Sequence, residues 1–449
     1  MSFLVVWCQR IALLVLFVSL TACFPGPKKQ EPLEPAVVML LPVTGPFGGI
    51  AGKIMQGARI ARDELAANGV SVTLAQIDTN AKDWLKRYHD MPERFTVVGG
   101  PLERKAYTAL KKNNLLRQRA VFAFSSTLDE KDEGVYAWRF FPSQLDQAES
   151  LVNFATNKLK IRSFGLFSGS DPFSVKMAAV FEKVVRANNG SLQKASYSAT
   201  DKSHLLAQSK TLFMPTKENG RVVPNTPFEA VFIPSSWRTL DSILTAFAGH
   251  GEDRVVILGE MGWEQSLRNR HLPNPKRYEL VCYPVGFNDR AQIPAMTKAK
   301  VRPDFWVALG YDFVRFAVAM RLPKDATPLD VVNRANHANT NVRLLAPIYW
   351  DSAGIAHQNL FIERVGGSGC VPMDVKEFMH ARSKRKEEAA LRMQGGGTPI
   401  EGEVVEGSKP VKPVVTESAP MPKPEQPLLV PGTMPPSSHK LRLPVKQAL

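Results

Sequence analysis

From residue 36 onward, short runs of β-branched and other apolar residues alternate with stretches of helical periodicity. Residues 37–41 predict a buried strand, and residues 52–68 repeat apolar side chains at the spacing of one helical face. Strands that are regularly separated by helices predict parallel sheets with right-handed crossovers. The alternation runs twice, with a break after residues 139–142 (RFFP). We therefore predict an α/β fold of two lobes, each a doubly wound, mostly parallel sheet.

The predicted elements define the extent of each lobe. The first series has strands at 37–41, 72–77, 95–98 and 120–124 and helices at 52–68, 81–89 and 103–113. The second has strands at 164–167, 192–197, 230–234 and 254–258 and helices at 147–159, 173–188, 203–213 and 237–249. Residues 344–350 and 360–365 flank a turn at 351–354 (DSAG) and predict a hairpin. We expect lobe 1 at about 36–141 and 288–343, and lobe 2 at about 142–287 and 344–369.

The first residues have the pattern of a secretory signal. A sparse n-region ends at Arg10, an apolar run covers 11–20, and residues 20–23 read LTAC. This apolar run is too short to span a bilayer, which favours a signal peptide at 1–22 over a spanning helix; a short buried helix is the alternative. Small residues before Cys23 resemble the bacterial lipobox, which implies lipidation at Cys23. Phe24, in place of Asp, implies anchoring to the outer membrane, facing the periplasm. Residues 23–35 would then be a tether.

Cysteine content and charge narrow the partners. After removal of the signal and lipidation of Cys23, only Cys282 and Cys370 remain, either as one disulfide or as two unpaired thiols. Lys and Arg number 57 against 42 acidic residues, a formal charge of +15. Outside the cytoplasm nucleic acid is a poor partner, so the charge indicates anionic envelope polymers, lipid headgroups, acidic ligands or a solvated basic surface.

The C-terminal part changes in composition. Residues 370–394 are a charged segment with helical character, and residues 395–449 carry a proline every few positions. With few large apolar residues, this tail is expected to be disordered, serving as a spacer or as a ligand for a partner.

Motifs of common catalysts are missing from the sequence. It contains no HExxH, no cysteine pair at metal spacing and no GxxxxGK[ST]. The glycine-rich stretch 45–52 follows a strand but departs from GxGxxG. We therefore predict a protein that is not an enzyme and that has no cofactor or metal.

Loops at the carboxyl ends of the predicted strands form the candidate binding region. Open α/β sheets bind ligands at this edge. The loops lie at 44–49, 99–105, 125–127, 168–173, 235–237 and 260–263. They combine hydroxyls, backbone amides, aromatic rings and one acid, a set that suits a small zwitterion or anion.

Five segments resemble type I periplasmic binding proteins of the leucine-binding group, and 98–102 (VGGPL) and 164–190 are two of them. The other three are 41–47 (LPVTGPF), 56–61 (QGARIA) and 303–312 (PDFWVALGYD), and the resemblance covers about 36–365. It implies a two-lobed type I periplasmic-binding-protein fold. The same domain occurs in lipoproteins that activate penicillin-binding proteins.

The resemblance also implies a ligand site. Phe47 would line the cleft, Ser126 and Thr127 would contact a ligand carboxylate, and Phe173 would pack on the ligand. Glu260 would hold an ammonium group. Where the family has a carboxylate-gripping Ser, this chain has Glu103-Arg104-Lys105, so Arg104 either grips a carboxylate or points into solvent.

Two functions follow as hypotheses. The first is a non-catalytic solute-binding lipoprotein for a small amino-acid-like ligand, working with an ABC permease in uptake or in sensing. The alternative is a lipoprotein that regulates a penicillin-binding protein and uses the same fold as a docking module. Both place the chain at a membrane through its lipid and exclude nucleic acid as a partner.

Overall fold

A computed structural model describes residues 34–394, except 199, 202, 219, 220, 269 and 273. The expected signal peptide, the lipidation site Cys23 and the Pro-rich tail at 395–449 lie outside the described residues. Among the described residues, no helix is both long and apolar enough to cross a membrane.

The first lobe is built on a five-stranded sheet in the order β2-β1-β3-β4-β5, and all of its pairings are parallel. Its strands are β1 (Ala36–Leu41), β2 (Thr73–Asp78), β3 (Val97–Gly99), β4 (Ala120–Ala123) and β5 (Ala137–Arg139). Strand β1 is buried along its whole length, as its continuous apolar run predicts for a central parallel strand. Strand β5 was not predicted, because its three residues are too few to show a pattern.

The second lobe is built on a seven-stranded sheet in the order β16-β15-β12-β11-β10-β6-β7. The pairings from β12 to β7 are parallel, and β15 and β16 add an antiparallel edge. Its strands are β6 (Ser163–Gly169), β7 (Ser191–Tyr197), β10 (Ala230–Phe232), β11 (Val256–Leu258), β12 (Val281–Val285), β15 (Phe361–Gly366) and β16 (Gly369–Pro372). The two sheets confirm the predicted α/β class.

Helices and two small strand pairs complete the described chain. The strand pairs are β8 (Thr216–Glu218) with β9 (Arg221–Val223), and β13 (Ile348–Trp350) with β14 (Ala356–Gln358). The helices are α1 (Gly48–Ala67), α2 (Trp84–His89), α3 (Arg104–Lys112), α4 (Gln144–Asn157), α5 (Pro172–Ala187), α6 (Leu205–Phe213), α7 (Trp237–Gly249), α8 (Trp263–Leu267), α9 (Pro294–Lys298), α10 (Phe305–Met320), α11 (Pro328–Ala338) and α12 (Val375–Met393).

The predicted hairpin near the end has a different partner. β13 pairs with β14 across a turn in which Asp351 Oδ1 accepts the backbone amides of Ala353 and Ile355. β15, which we expected opposite β13, instead pairs with β12 in the second sheet. The turn closes onto the nearer strand because the side chain of Asp351 satisfies its amides locally.

The new hairpin also shifts the expected lobe boundary. Ile348, Trp350 and Ala356 are buried in the core of the first lobe, together with residues of α1 and α10. Residues 344–358, which we expected in the second lobe, therefore pack on the first.

The charged segment after residue 370 forms helix α12, which packs on the second lobe. Phe378 and Ala381 join the core beside α4 and α5. Arg382 Nη2 lies 2.6 Å from Glu229 Oε1, and Arg392 Nη2 lies 2.5 Å from Asp253 Oδ1. The basic run is thus a set of ion pairs that fixes the helix to the lobe.

The two cysteines of the described chain are unpaired. Cys282 is buried in the core on the α4–α5 face of the second sheet, whereas Cys370 packs against the core on the opposite face. A sheet between the two thiols explains why they do not form a disulfide.

Candidate functional site

The six predicted site residues all follow strands of the two sheets at their carboxyl ends. Phe47 precedes α1, Arg104 begins α3, Ser126 and Thr127 follow β4, Phe173 lies in the first turn of α5, and Glu260 follows β11. The parallel arrangement therefore places them on the edges where ligands bind in such folds.

Three connections join the lobes: from β5 to α4, from β12 to α9, and from β14 to β15. A buried ion pair ties the first connection to the third. Arg139 Nη1 lies 2.7 Å from Asp146 Oδ2, and the other oxygen of Asp146 accepts the backbone amide of Gln358. Arg139 also donates to the carbonyl oxygen of Ala356. The lobes are thus linked by a polar cluster that is shielded from water.

A cavity of about 60 Å³ lies beside these connections. Elements of both lobes line it. Its lining consists of Phe141, Glu260, Met261, Gly262, Glu264, Gln265, Val285, Gly286, Phe287, Phe305 and Trp306. We call this space the hinge cavity.

Glu260 is the charged group that the hinge cavity shares with the predicted site. It is only 8% exposed, and burial raises the pKa of its carboxyl to about 7. A backbone hydrogen bond opposes this rise, since the amide of Gly262 donates to Oε2 over 2.7 Å. Glu264, the second acid of the wall, is paired with Arg268 at 2.6 Å. Glu260 therefore faces the cavity with no basic side chain among the described lining residues.

The other five predicted residues lie outside the lining of the hinge cavity. Phe47 packs against the core of the first lobe and Phe173 against the core of the second. The side chain of Arg104 is 63% exposed, and its Nη2 lies 3.9 Å from Asp129 Oδ1. Ser126 is buried and Thr127 half-buried. Arg104 thus points into solvent. Among the described residues, the predicted carboxylate-binding side chains do not lie in the same cavity as Glu260.

One group of side chains has the composition of a metal site. Ligand atoms of Asp146, Glu149 and His357 lie within 4.8 Å of one another. Asp146 is occupied, however, because its oxygens accept hydrogen bonds from Arg139, Ser143 and Gln358. The closeness of Asp146, Glu149 and His357 is therefore explained by the hydrogen bonds of Asp146 that link the lobes.

Sequence reasoning missed the aromatic residues of the hinge cavity. Phe141 lies in the RFFP break, and Phe305 and Trp306 lie in the segment that best resembles the leucine-binding group. All three are buried and belong to the first lobe's core cluster. Their apolar character therefore predicted a core position, and nothing local in the sequence indicated the space beside them.

Comparison with known proteins identifies the architecture. A family described as periplasmic binding protein matches residues 35–211. No curated protein sequence matches the chain. A putative branched-chain amino acid ABC transporter from Rhodospirillum rubrum is 15% identical, with a TM-score of 0.57 over 76% of this chain and 100% of that chain.

Two further solved structures have similar scores. An ABC transporter substrate-binding protein from Desulfitobacterium hafniense, in complex with Leu, is 13% identical with a TM-score of 0.52, over 75% of this chain and 99% of that one. The C-domain of LpoA from Haemophilus influenzae, a regulator of PBP1A, is 12% identical with a TM-score of 0.52, over 76% of this chain and 100% of that one. At these identities the likeness shows the fold alone.

Proposed function

Because the chain has the type I periplasmic-binding-protein fold, we propose that it is a non-catalytic solute-binding protein. Its ligand is small, carries a cationic nitrogen and binds between the lobes at Glu260. The observation that carries this proposal is a buried carboxyl that faces a cavity at the hinge without a basic partner in the described lining.

The energetics of Glu260 favour a cationic ligand. A carboxylate removed from water costs free energy unless a cation or several hydrogen bonds compensate it. Here one backbone amide donates to it. A ligand ammonium group would supply the missing charge, and charge-assisted hydrogen bonds are among the strongest available.

The position of the cavity suggests how binding would act on the lobes. Glu260 belongs to the second lobe, whereas Phe305 and Trp306 begin α10 of the first. A ligand in contact with both sides has higher affinity for the arrangement in which the lobes are close. It would therefore shift the population toward that state without covalent chemistry.

The relatives support a solute-binding role in the cell envelope. Two of them are described as an amino acid ABC transporter and as a transporter substrate-binding protein in complex with Leu. By analogy, the chain would work with an ABC permease or a sensor in the periplasm. In this proposal it is a lipoprotein that is anchored to the outer membrane through Cys23.

The anchor has a direct test. In cells that express Cys23→Ala, we expect loss of lipid labelling and release from the membrane fraction, because acyl chains provide the attachment. Cys282→Ala is the matched control and should keep both. Unchanged labelling of Cys23→Ala would contradict the anchor.

A second function is favoured by the size of the hinge cavity. Ligand sites usually measure about 300–1,000 Å³, whereas this one measures about 60 Å³. A small cavity suits a docking module that needs no solute, and the LpoA domain, a regulator of PBP1A, has the same fold. In this alternative the partner is a penicillin-binding protein, and the tail at 395–449 acts as a spacer or contact segment.

One experiment separates the two functions. The purified full-length protein is screened by thermal shift against amino acids, amides, small amines and peptidoglycan fragments. A ligand at 100 times its Kd adds about 2.7 kcal/mol to the stability, which raises the melting temperature. We expect a specific shift that Glu260→Gln abolishes. No shift with any compound, together with binding to a purified penicillin-binding protein, would establish the regulator instead.

A further inference from the structure

The hinge cavity has a wall of aromatic rings that touch one another. The ring centroids of Phe141 and Phe305 lie 5.3 Å apart, those of Phe305 and Trp306 lie 5.2 Å apart, and those of Phe141 and Trp306 lie 5.9 Å apart. Phe287 extends the group at 6.4 Å from Phe305. Ring faces carry negative electrostatic potential and attract cations within about 6 Å.

A cation already uses one of these rings. The guanidinium carbon of Arg268 lies 4.9 Å from the centroid of Phe287. Arg268 also forms an ion pair with Glu264 at 2.6 Å. Its positive charge is therefore balanced at the edge of the aromatic wall. The remaining charge in the described lining is that of Glu260, and in its ionised form it makes the lining net negative.

The backbone donors of the same loop are occupied. The amide of Met261 donates to Gln147 Oε1 over 3.1 Å, and the amide of Gly262 donates to Glu260 Oε2. The amide of Trp263, at the start of α8, donates to the carbonyl oxygen of Glu260. A ligand carboxylate beside this loop would therefore meet the acids Glu260 and Glu264 and no free backbone amide of residues 261–263, which leaves the side-chain amide of Gln265 as the polar donor of this wall.

From these contacts we propose that the hinge cavity recognises a compact alkylammonium ion that has no carboxylate. The inference rests on the proposed solute-binding function and narrows its ligand from amino acids to small amines. The ammonium group would contact Glu260 while its methyl or methylene groups pack on Phe141, Phe305 and Trp306.

The size of the space agrees with a compact ion. A dry cavity of about 150 Å³ accommodates benzene, and the hinge cavity of about 60 Å³ is less than half as large. It suits a ligand of a few heavy atoms. In an α-amino acid the carboxylate and the ammonium group are attached to the same carbon. Both charges would therefore be buried together, and the carboxylate would lack a cationic partner.

The test is calorimetric titration of the full-length protein at pH 8 and constant ionic strength. The probes are methylammonium, dimethylammonium and tetramethylammonium chlorides, with leucine and glycine as the carboxylate-bearing comparison. The variant is Glu260→Gln, which keeps the shape of the side chain and removes its charge. The control is Glu363→Gln, because burial also raises the pKa of Glu363, to about 7, yet it lies outside the cavity lining.

We expect at least one alkylammonium ion to bind more tightly than either amino acid. Glu260→Gln should weaken that binding about ten- to a hundredfold, the usual loss for a hydrogen bond to a charged group, and Glu363→Gln should leave it within about twofold. For tetramethylammonium, whose charge does not depend on pH, the affinity should also fall between pH 8 and pH 5.5.

The opposite outcomes are distinct. Leucine or glycine binding that depends on Glu260 and exceeds that of the amines would overturn the inference and leave the solute-binding function intact. Amine binding that Glu260→Gln does not change would overturn the assignment to this cavity. Failure of both sets of probes to bind would overturn the inference, and silence across the wider ligand screen would overturn the proposed function itself.

Discussion

At the scale of single residues, two buried carboxyls differ in the number of hydrogen bonds that they accept. Asp312 in α10 accepts the backbone amides of Arg343, Leu344 and Leu345 at 2.6–3.0 Å. Burial raises its pKa to about 6, and the three amides limit the rise. Glu260 has one amide, and its pKa is raised to about 7. Both pKa values lie above their ordinary values by a similar amount, but the acid of the candidate site accepts one backbone amide where Asp312 accepts three, as expected for a group that awaits a partner.

Glu260→Gln should make the protein more stable at pH 8 and change little at pH 5. Because the pKa of Glu260 is higher in the folded chain than the ordinary 4.5, the folded state binds more protons between about pH 4.5 and 7. Stability therefore falls as pH rises through this window, and the loss is complete above pH 7. At 1.36 kcal/mol per pKa unit the gain from Gln at pH 8 is about 3 kcal/mol.

Urea unfolding of both proteins at pH 5 and pH 8 measures this difference. Glu387→Gln on the exposed face of α12 is the control and should be neutral at both pH values. An equal effect of Glu260→Gln at the two pH values would show that its carboxyl is not the titrating group.

At the scale of elements, helices α1 and α10 cross in close contact through two glycines. A Cβ atom on Gly57 would lie 1.9 Å from the carbonyl oxygen of Val307, and one on Gly310 would lie 1.8 Å from that of Ile54. Because the obstacles are backbone atoms, a side chain at either position would force the helices apart. These glycines therefore set the distance between the helices that carry the first lobe's core.

Gly310→Ala should destabilise the protein even though Ala favours helix formation. Overpacking usually costs about 1–3 kcal/mol of stability. Because the added methyl group would meet the backbone of α1, which cannot move aside, we expect a loss of about 3 kcal/mol or more. Gly52→Ala in α1 is the control, since a Cβ atom there meets nothing within 4 Å, and it should be neutral or slightly stabilising. Thermal unfolding measures both, and equal melting temperatures for the two variants would contradict the close contact.

The sequence predicted those elements whose pattern is local. The helix predicted at 237–249 is α7 (Trp237–Gly249), and β1, β10 and β11 occur where their apolar runs predict strands, whereas β12 was not predicted as a strand. It did not predict the pairing of β15 with β12, because strand partners depend on tertiary packing across many residues. It predicted a charged helical segment where α12 lies but not its packing on the second lobe, because the acids that pair with it, such as Asp253 and Glu229, are distant in sequence.

The candidate site was only partly predictable for the same reason. Glu260 stood out as an acid after a buried strand, so a local pattern was enough to find it. Phe141 and Trp306 come from different connections and helices, and they line a cavity only after the lobes are assembled. Apolar residues that line a small cavity and those that fill a core have the same signature in a sequence.

At the scale of the whole molecule, the connections between the lobes decide how binding could move them. The hinge cavity touches the first connection at Phe141 and the second at Phe287, while Arg139 and Asp146 tie the first to the third. A ligand would therefore contact two of the three connections between the lobes. The polar cluster holds the connections in register, and the cavity lies where a small change of lobe angle alters its walls.

This arrangement predicts that Arg139→Met costs far more than the loss of an ordinary ion pair. The side chains of Arg139 and Asp146 are 5% and 1% exposed, so the variant leaves Asp146 buried with its charge uncompensated. Removing one partner of such a pair typically costs about 3–5 kcal/mol.

Arg186→Met is the matched control, because its pair with Glu182 is at the surface and is worth about 0–1 kcal/mol. Urea unfolding should show the large loss for Arg139→Met alone. The double variant Arg139→Met with Asp146→Leu should recover only part of it, since the charge of Asp146 is then removed while Glu133, whose Oε1 lies 3.3 Å from Arg139 Nε, still loses its partner. Equal losses for Arg139→Met and Arg186→Met would mean that the cluster does not hold the lobes together.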